Sequence, residues 1–244
     1  IGTLGYGQFG NIKSGPTTTP DPVTLHSLFD AWQENLTNVA MEVSSHALDQ
    51  GRVSGTAFDI GVFTNLSRDH LDYHKNLDDY AAAKFQLFNY PGLKHAIVNI
   101  DDEYGVQLIN KLGSDINIVA YSTKLNRLEN HQTNIQLVYC DRYETDGLDT
   151  VLSIQSPWGP AEIKSHLLGE FNIQNVLAAF AVLSVLGIDR EEIVSALSSF
   201  HGIPGRMEYF PADDKPLLVV DYAHTPDALE KALLTLRPYC KGKL

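Results

Sequence analysis

Short apolar runs alternate with amphipathic segments through the first half of the chain, and this alternation narrows the fold more than any other feature. Residues 39–43, 60–64, 96–100 and 116–121 read as buried strands. Between them, apolar spacing predicts helices over 22–36, 77–88 and 103–112. In the first helix Leu25, Leu28, Phe29, Trp32 and Leu36 line one face, Asp21 is placed to cap it and Pro22 occupies its first position. Strands alternating with helices predict a parallel sheet covered by helices, an α/β fold.

The pattern changes after Ser122. Residues 135–139, 150–155 and 161–168 read as strands joined by turn residues such as Asp146-Gly147 and Ser156-Pro157, which predicts a smaller antiparallel insertion. Two helices follow, over 173–186 with Gly187 as its stop and over 189–200 with Asp189 and Glu192 in capping-box spacing. A strand at 217–220 and a helix at 226–236 then open a further domain.

Bulk properties exclude several classes. The net charge of -12, with no basic block, argues against a nucleic-acid partner. No apolar run reaches the roughly 18 residues of a membrane span. Cys140 and Cys240 lie far apart without metal-ligand spacing, which suits reduced thiols in a cytoplasmic protein. The start has no signal-peptide pattern, and Ile1 in place of methionine suggests a fragment.

Gly5-Tyr6-Gly7-Gln8-Phe9-Gly10 matches the dinucleotide fingerprint, but Asn11-Ile12-Lys13-Ser14-Gly15-Pro16 cannot be the helix that fingerprint needs. A glycine-rich turn is expected instead. Polar residues crowd the end of the apolar run in Met41-Glu42-Val43-Ser44-Ser45-His46, where open α/β sheets place ligands. A second polar run is Thr64-Asn65-Leu66-Ser67-Arg68-Asp69-His70-Leu71-Asp72-Tyr73-His74. Its two histidines and two aspartates could ligate zinc, although the segment lacks H-E-x-x-H or comparable spacing. Lys84, in Ala81-Ala82-Ala83-Lys84-Phe85, is either a surface lysine or a desolvated, nucleophilic amine.

In order and spacing these three segments resemble the Mur ligase family, and within it the branch that makes the UDP-MurNAc-tripeptide. Asn99-Ile100-Asp101-Asp102, His166-Leu167-Leu168-Gly169-Glu170-Phe171-Asn172-Ile173-Gln174-Asn175, Gly205-Arg206-Met207-Glu208 and Asp221-Tyr222-Ala223-His224-Thr225-Pro226-Asp227 extend the likeness across the chain.

The resemblance implies a central ATP-binding domain over 1–207, a P-loop NTPase-like parallel sheet with flanking helices and a smaller antiparallel sheet. The start of a Rossmann-like C-terminal domain over 208–244 follows. It implies a carbon–nitrogen ligase that uses ATP to join a diamino acid to UDP-MurNAc-L-Ala-D-Glu through an acyl phosphate, in peptidoglycan precursor synthesis. The diamino acid would be meso-diaminopimelate, with L-lysine as the alternative. Glu42, His70 and a carbamoylated Lys84 would hold Mg2+. Thr18, Thr19, Ser44, Gln50 and Arg52 would bind the UDP-sugar peptide, with helix capping as another reading of the two threonines. Asn172 and Asn175 would lie near adenine, Arg206 near the phosphates, and Asp221 and His224 near ribose and phosphates; Asn172 also suits an N-cap. The implied protein is a cytoplasmic monomer.

The chain departs from the family pattern in two ways. The G-x-x-G-K-[ST] phosphate loop is absent, and the C-terminal domain is incomplete. Residues 1–244 alone are therefore not expected to turn over ATP efficiently. Two other readings stay open: a folylpolyglutamate synthetase-like ligase, and a non-catalytic nucleotide-sugar binding module.

Overall fold

The computed structural model describes residues 1–8, 10–34, 36–68, 72–124, 135–211, 216–240, 242 and 244. It divides into two compact units, Ile1–Gly61 with His70–Leu93, and Val62–Asp69 with Lys94–Leu244.

The first unit opens on a hairpin of β1 (Tyr6–Gln8) and β2 (Asn11–Lys13). Gly5 and Gly7 adopt φ of 120° and 146°. A Cβ on either would run into the carbonyl oxygen of Lys13 or Asn11 on the facing strand. These glycines therefore serve backbone approach within a hairpin, and no helix starts there. Helix α1 (Pro22–Trp32) is capped by Asp21, whose carboxylate accepts from Thr24 N at 3.0 Å, and it stops short of the predicted residue 36.

The predicted strand at 39–43 is not one. The run forms no strand, although Ile1 N donates to Ala40 O and Glu42 N donates to Ile1 O, both at 2.9 Å. Its apolar side chains still find a core, with Met41 and Val43 against buried Leu25, Leu48 and Val53. Helix α2 (Ser45–Asp49) follows directly, capped by Ser44. Beyond β3 (Ile60–Phe63), helix α3 (Leu77–Phe85) is capped by Asn76 and tightens into a 3-10 turn over Gln86–Asn89.

In the second unit lie β4 (His95–Asn99), α4 (Glu103–Ile109), β5 (Asn117–Ser122), β6 (Ile135–Asp146), β7 (Asp149–Gln155) and β8 (Ala161–Ser165). One six-stranded sheet runs in the order β3-β4-β5-β6-β7-β8. β4, β5 and β6 pair in parallel, whereas β6, β7 and β8 pair antiparallel. The predicted insertion is thus the antiparallel continuation of the parallel sheet. Ala96, Ile97 and Val98 are wholly buried, as expected of a strand contacted by both α4 and helix α5 (Glu170–Val185).

Helix α5 begins after Gly169, earlier than the predicted 173, because Gly169 takes φ of 95° and supplies the turn. At its other end Gly187 has φ of 77°, and Ile188 N donates to Leu183 O at 3.1 Å, the helix stop foreseen from sequence. Asp189 caps α6 (Arg190–Ser198). The chain then forms an antiparallel pair, β9 (Glu208–Phe210) and β10 (Leu218–Val220), and helix α7 (Pro226–Leu236). Leu168, Met207 and Ala232 are buried together at its base, with Val219, Ala223 and Leu236 against them.

Asp101 knots the end of the parallel strands. Its Oδ1 accepts from Ser122 Oγ at 2.5 Å; its Oδ2 accepts from Thr123 N at 2.8 Å, Thr123 Oγ1 at 2.7 Å and Gln174 Nε2 at 3.2 Å. Buried Asn99 donates to Thr64 O at 2.7 Å, and Asp102 accepts from Leu66 N at 2.8 Å. The Asn99–Asp102 run therefore fastens the loop after β3, the end of β5 and helix α5. Charge-assisted bonds of this kind are each worth ~1.5–3 kcal/mol. Asp101→Asn keeps one acceptor and should lower unfolding free energy by about 1–2 kcal/mol. Denaturant melting tests this, and an unshifted midpoint would refute the role.

Candidate functional site

Within the first unit, six of the sequence-predicted residues form one hydrogen-bonded chain. Thr19 is fully buried; its Oγ1 donates to Glu42 O at 2.8 Å and accepts from Ser44 N at 3.0 Å. Thr19 thus clamps the polar run 42–44 rather than capping a helix, a job Asp21 takes. Thr3 Oγ1 donates to the Glu42 carboxylate at 2.7 Å and lies 3.2 Å from Thr18 Oγ1. Glu42 is otherwise exposed, and a Cβ on Gly2 would meet its Oε1 at 2.6 Å, so glycine leaves room for that oxygen.

Arg52 closes the chain. Its Nη1 donates to Thr19 O at 3.2 Å, and its Nε donates to Gln50 Oε1 at 2.9 Å. Gln50 Nε2 donates to the Tyr73 hydroxyl at 3.3 Å, and that hydroxyl donates to Asp49 Oδ2 at 2.6 Å. The guanidinium is held in one orientation before any ligand arrives. Tyr73 and Asp49 join this bonded chain, and sequence reasoning assigned them no role because the contact joins residues far apart along the chain.

Lys84 is half-buried on α3, between buried Ala83 and Phe85, with Nζ 5.0 Å from the centre of the Tyr80 ring. His70 lies outside the described residues. His74 is buried, stacked on Tyr80 at 4.9 Å, and shares a 2.9 Å hydrogen bond with Ser45 Oγ.

The other predicted residues lie in the second unit. Asn172 sits inside α5, where its Nδ2 donates back to Leu168 O at 2.8 Å, so it is not an N-cap. Asn175 Nδ2 donates to Asn172 Oδ1 at 3.1 Å, which places both amides on one helix face. Arg206 lies 4.8 Å over the exposed Tyr222 ring, and the His224 ring lies 5.0 Å from the same ring. Asp221 accepts from Met207 N and Ala223 N, both at 2.9 Å, which holds Met207 at φ of 45°. Leu168, whose carbonyl receives Asn172, packs with Met207 and Ala223 and so joins the two groups.

His166 also lies in this unit, 2.7 Å from Asp149 Oδ1 and stacked on His201 at 4.4 Å. Its hydrogen bond, with help from Lys164, holds the Asp149 carboxyl below the usual carboxylate range. Burial pushes the Cys140 thiol up to about 11, which suits an unreactive thiol. No helix among the described residues is long and apolar enough to cross a membrane.

Comparison with known proteins matches residues 1–183 to the Mur ligase middle domain. The UDP-N-acetylmuramoyl-L-alanyl-D-glutamate--2,6-diaminopimelate ligase of Pseudomonas syringae pv. tomato is 45% identical over 100% of this chain and 48% of its own length. The Coxiella burnetii protein of the same name is 42% identical over 100% of this chain and 49% of its own. A solved structure of a ligase of that name superposes with a TM-score of 0.81 at 36% identity, covering 97% of this chain and 47% of that one. The chain spans about half the length of the curated relatives it matches.

Proposed function

The chain belongs to the Mur ligase family, and on that premise we propose that it is the central part of an ATP-dependent ligase adding meso-diaminopimelate to UDP-MurNAc-L-Ala-D-Glu. The observation that carries this reading is the bonded chain Thr19–Glu42–Ser44 with Gln50–Arg52, which sets hydroxyls and a fixed guanidinium beside an exposed carboxylate. That is a site for an anionic, polyhydroxylated ligand, and it favours a UDP-sugar peptide over a folate-type substrate. The relatives' names favour diaminopimelate over L-lysine.

In this reading ATP transfers its γ-phosphoryl group to the substrate carboxylate. The amine of the diamino acid then attacks the acyl carbon, and phosphate leaves as the amide forms. Arg52 forks onto the pyrophosphate or a carboxylate and Thr18 and Ser44 hold the polar body of the substrate, while the buried Thr19, predicted to touch the substrate, instead fixes the 42–44 run behind them. Asn172 and Asn175 face adenine, Arg206 takes the phosphates, and Asp221 and His224 serve ribose and phosphates. Glu42, His70 and a carbamate on Lys84 would hold Mg2+, which when bound neutralises charge on the transferring phosphoryl group. The donor chemistry suits that ion: Glu42 offers hard carboxylate oxygen, and carbamoylation would turn Lys84 from a cation into another such donor. Residues 208–244 begin the C-terminal, Rossmann-like domain, and the protein works as a cytoplasmic monomer.

The test is phosphate release by the whole protein with ATP, Mg2+, the UDP-sugar dipeptide and meso-diaminopimelate. Release should require all of them and yield the tripeptide; ATP turnover indifferent to the UDP-sugar dipeptide would contradict the reading.

A further inference from the structure

We propose that His74 is a positioning residue that sets Lys84 against the Glu42–Ser45 segment, with Ser45 and Tyr80 as its two contact points. The inference rests on the reading of Lys84 as a magnesium-site carbamate. Glu42 and Lys84 sit on elements distant in sequence, and the chain between them has to be fixed by side chains.

His74 is 6% exposed and touches both sides. Its Nε2 is 2.9 Å from Ser45 Oγ, itself buried in the first turn of α2. That turn continues directly from Ser44 and Glu42, which Thr19 clamps. The His74 ring lies nearly flat on Tyr80, 4.9 Å between centres at 18°. The Tyr80 ring in turn lies 5.0 Å from Lys84 Nζ, one helical turn further along α3. One buried imidazole therefore registers the helix bearing Lys84 against the segment bearing Glu42. His46 and Tyr73 pack on its flanks, at 5.6 and 5.0 Å between ring centres, and restrict its rotation.

Small displacements matter for a shared ion site, since an error of about 1 Å can cost about 100-fold in rate. In the whole ligase, His74→Phe keeps a ring against Tyr80 but loses the bond to Ser45. It should lower kcat about 10-fold or more, with KM for ATP and for the UDP-sugar dipeptide within about 2-fold. Ser45→Ala should give the same loss, and the double variant no further loss, because both cut one connection. His74→Gln, which retains a hydrogen-bonding side chain, should recover part of kcat.

A role confined to fold stability is separated by a second background. Where Lys84→Ala is rescued by a short carboxylic acid, adding His74→Phe should leave the rescued rate unchanged, since the residue being positioned is gone. An equal further drop there would overturn the proposal, as would wild-type kcat in His74→Phe. If Lys84→Ala itself stays active, the metal-site reading has failed. An inactive Lys84→Ala beside a fully active His74→Phe sinks only the positioning role.

Discussion

Lys84→Ala in the whole ligase is expected to lower kcat by about 10²–10³-fold, the loss typical of removing one group that stabilises transition-state charge. Short carboxylic acids should restore part of that rate. Lys84 lies in the last turn of α3 with Nζ 5.0 Å from the centre of the Tyr80 ring. A cation there would repel Mg2+. Carbamoylation reverses the sign: the ammonium loses a proton to water, the neutral amine attacks the carbon of carbon dioxide, a C–N bond forms as one C–O π bond opens, a second proton leaves to water, and one negative charge shared by two oxygens replaces the positive one. A carbamate is stabilised by the divalent cations it ligates, so activity should rise with both bicarbonate and Mg2+. In the alanine variant the space left by the side chain admits a small carboxylic acid, whose oxygens take the carbamate's place. Wild-type turnover by Lys84→Ala would end this role. Loss without rescue by any carboxylate, joined to a fall in melting temperature, would assign the lysine to the fold.

Much of the architecture was legible because its signals are local. Helix α7 keeps the predicted bounds, Pro226 to Leu236, since a capping threonine and a proline mark its start within a few residues. The stop at Gly187 is equally local, a left-handed turn that glycine adopts freely. What escaped depends on partners far along the chain. Residues 39–43 have strand composition, yet they form no strand, and Thr19 and Thr3 tie Glu42 instead. β6 reads as the start of an insertion, yet it pairs in parallel with β5 and joins the main sheet. Pairing partner is a tertiary property, and composition cannot specify it. The site divides the same way. Glu42, Ser44, Gln50 and Arg52 stand in recognisable runs, and the structure links them. Tyr73 and His74 stood in such a run too, but nothing local pairs them with Asp49, Ser45 and Tyr80.

The same network sets the expected result for Arg52→Ala: about 100-fold weaker binding of the UDP-sugar dipeptide, equivalent to ~2.7 kcal/mol, with ATP affinity within about 2-fold. The magnitude follows from losing a charge-assisted fork, where each such bond contributes ~1.5–3 kcal/mol. Selectivity follows from connectivity, since the Arg52 bonds run to Thr19 and Gln50 within the first unit, whereas the residues proposed for adenine and phosphates lie in the second. Arg52→Lys should recover little, because an ammonium cannot bridge Thr19 O and Gln50 Oε1 while presenting a planar fork to the ligand. Tyr73 and Asp49 act behind it: by holding Gln50 they fix the guanidinium beforehand, so ordering that side chain costs less when the ligand arrives. Calorimetric titration of each ligand separately decides the point. Equal weakening of both ligands would mean that Arg52 supports the fold at large, and the substrate assignment would have to be abandoned.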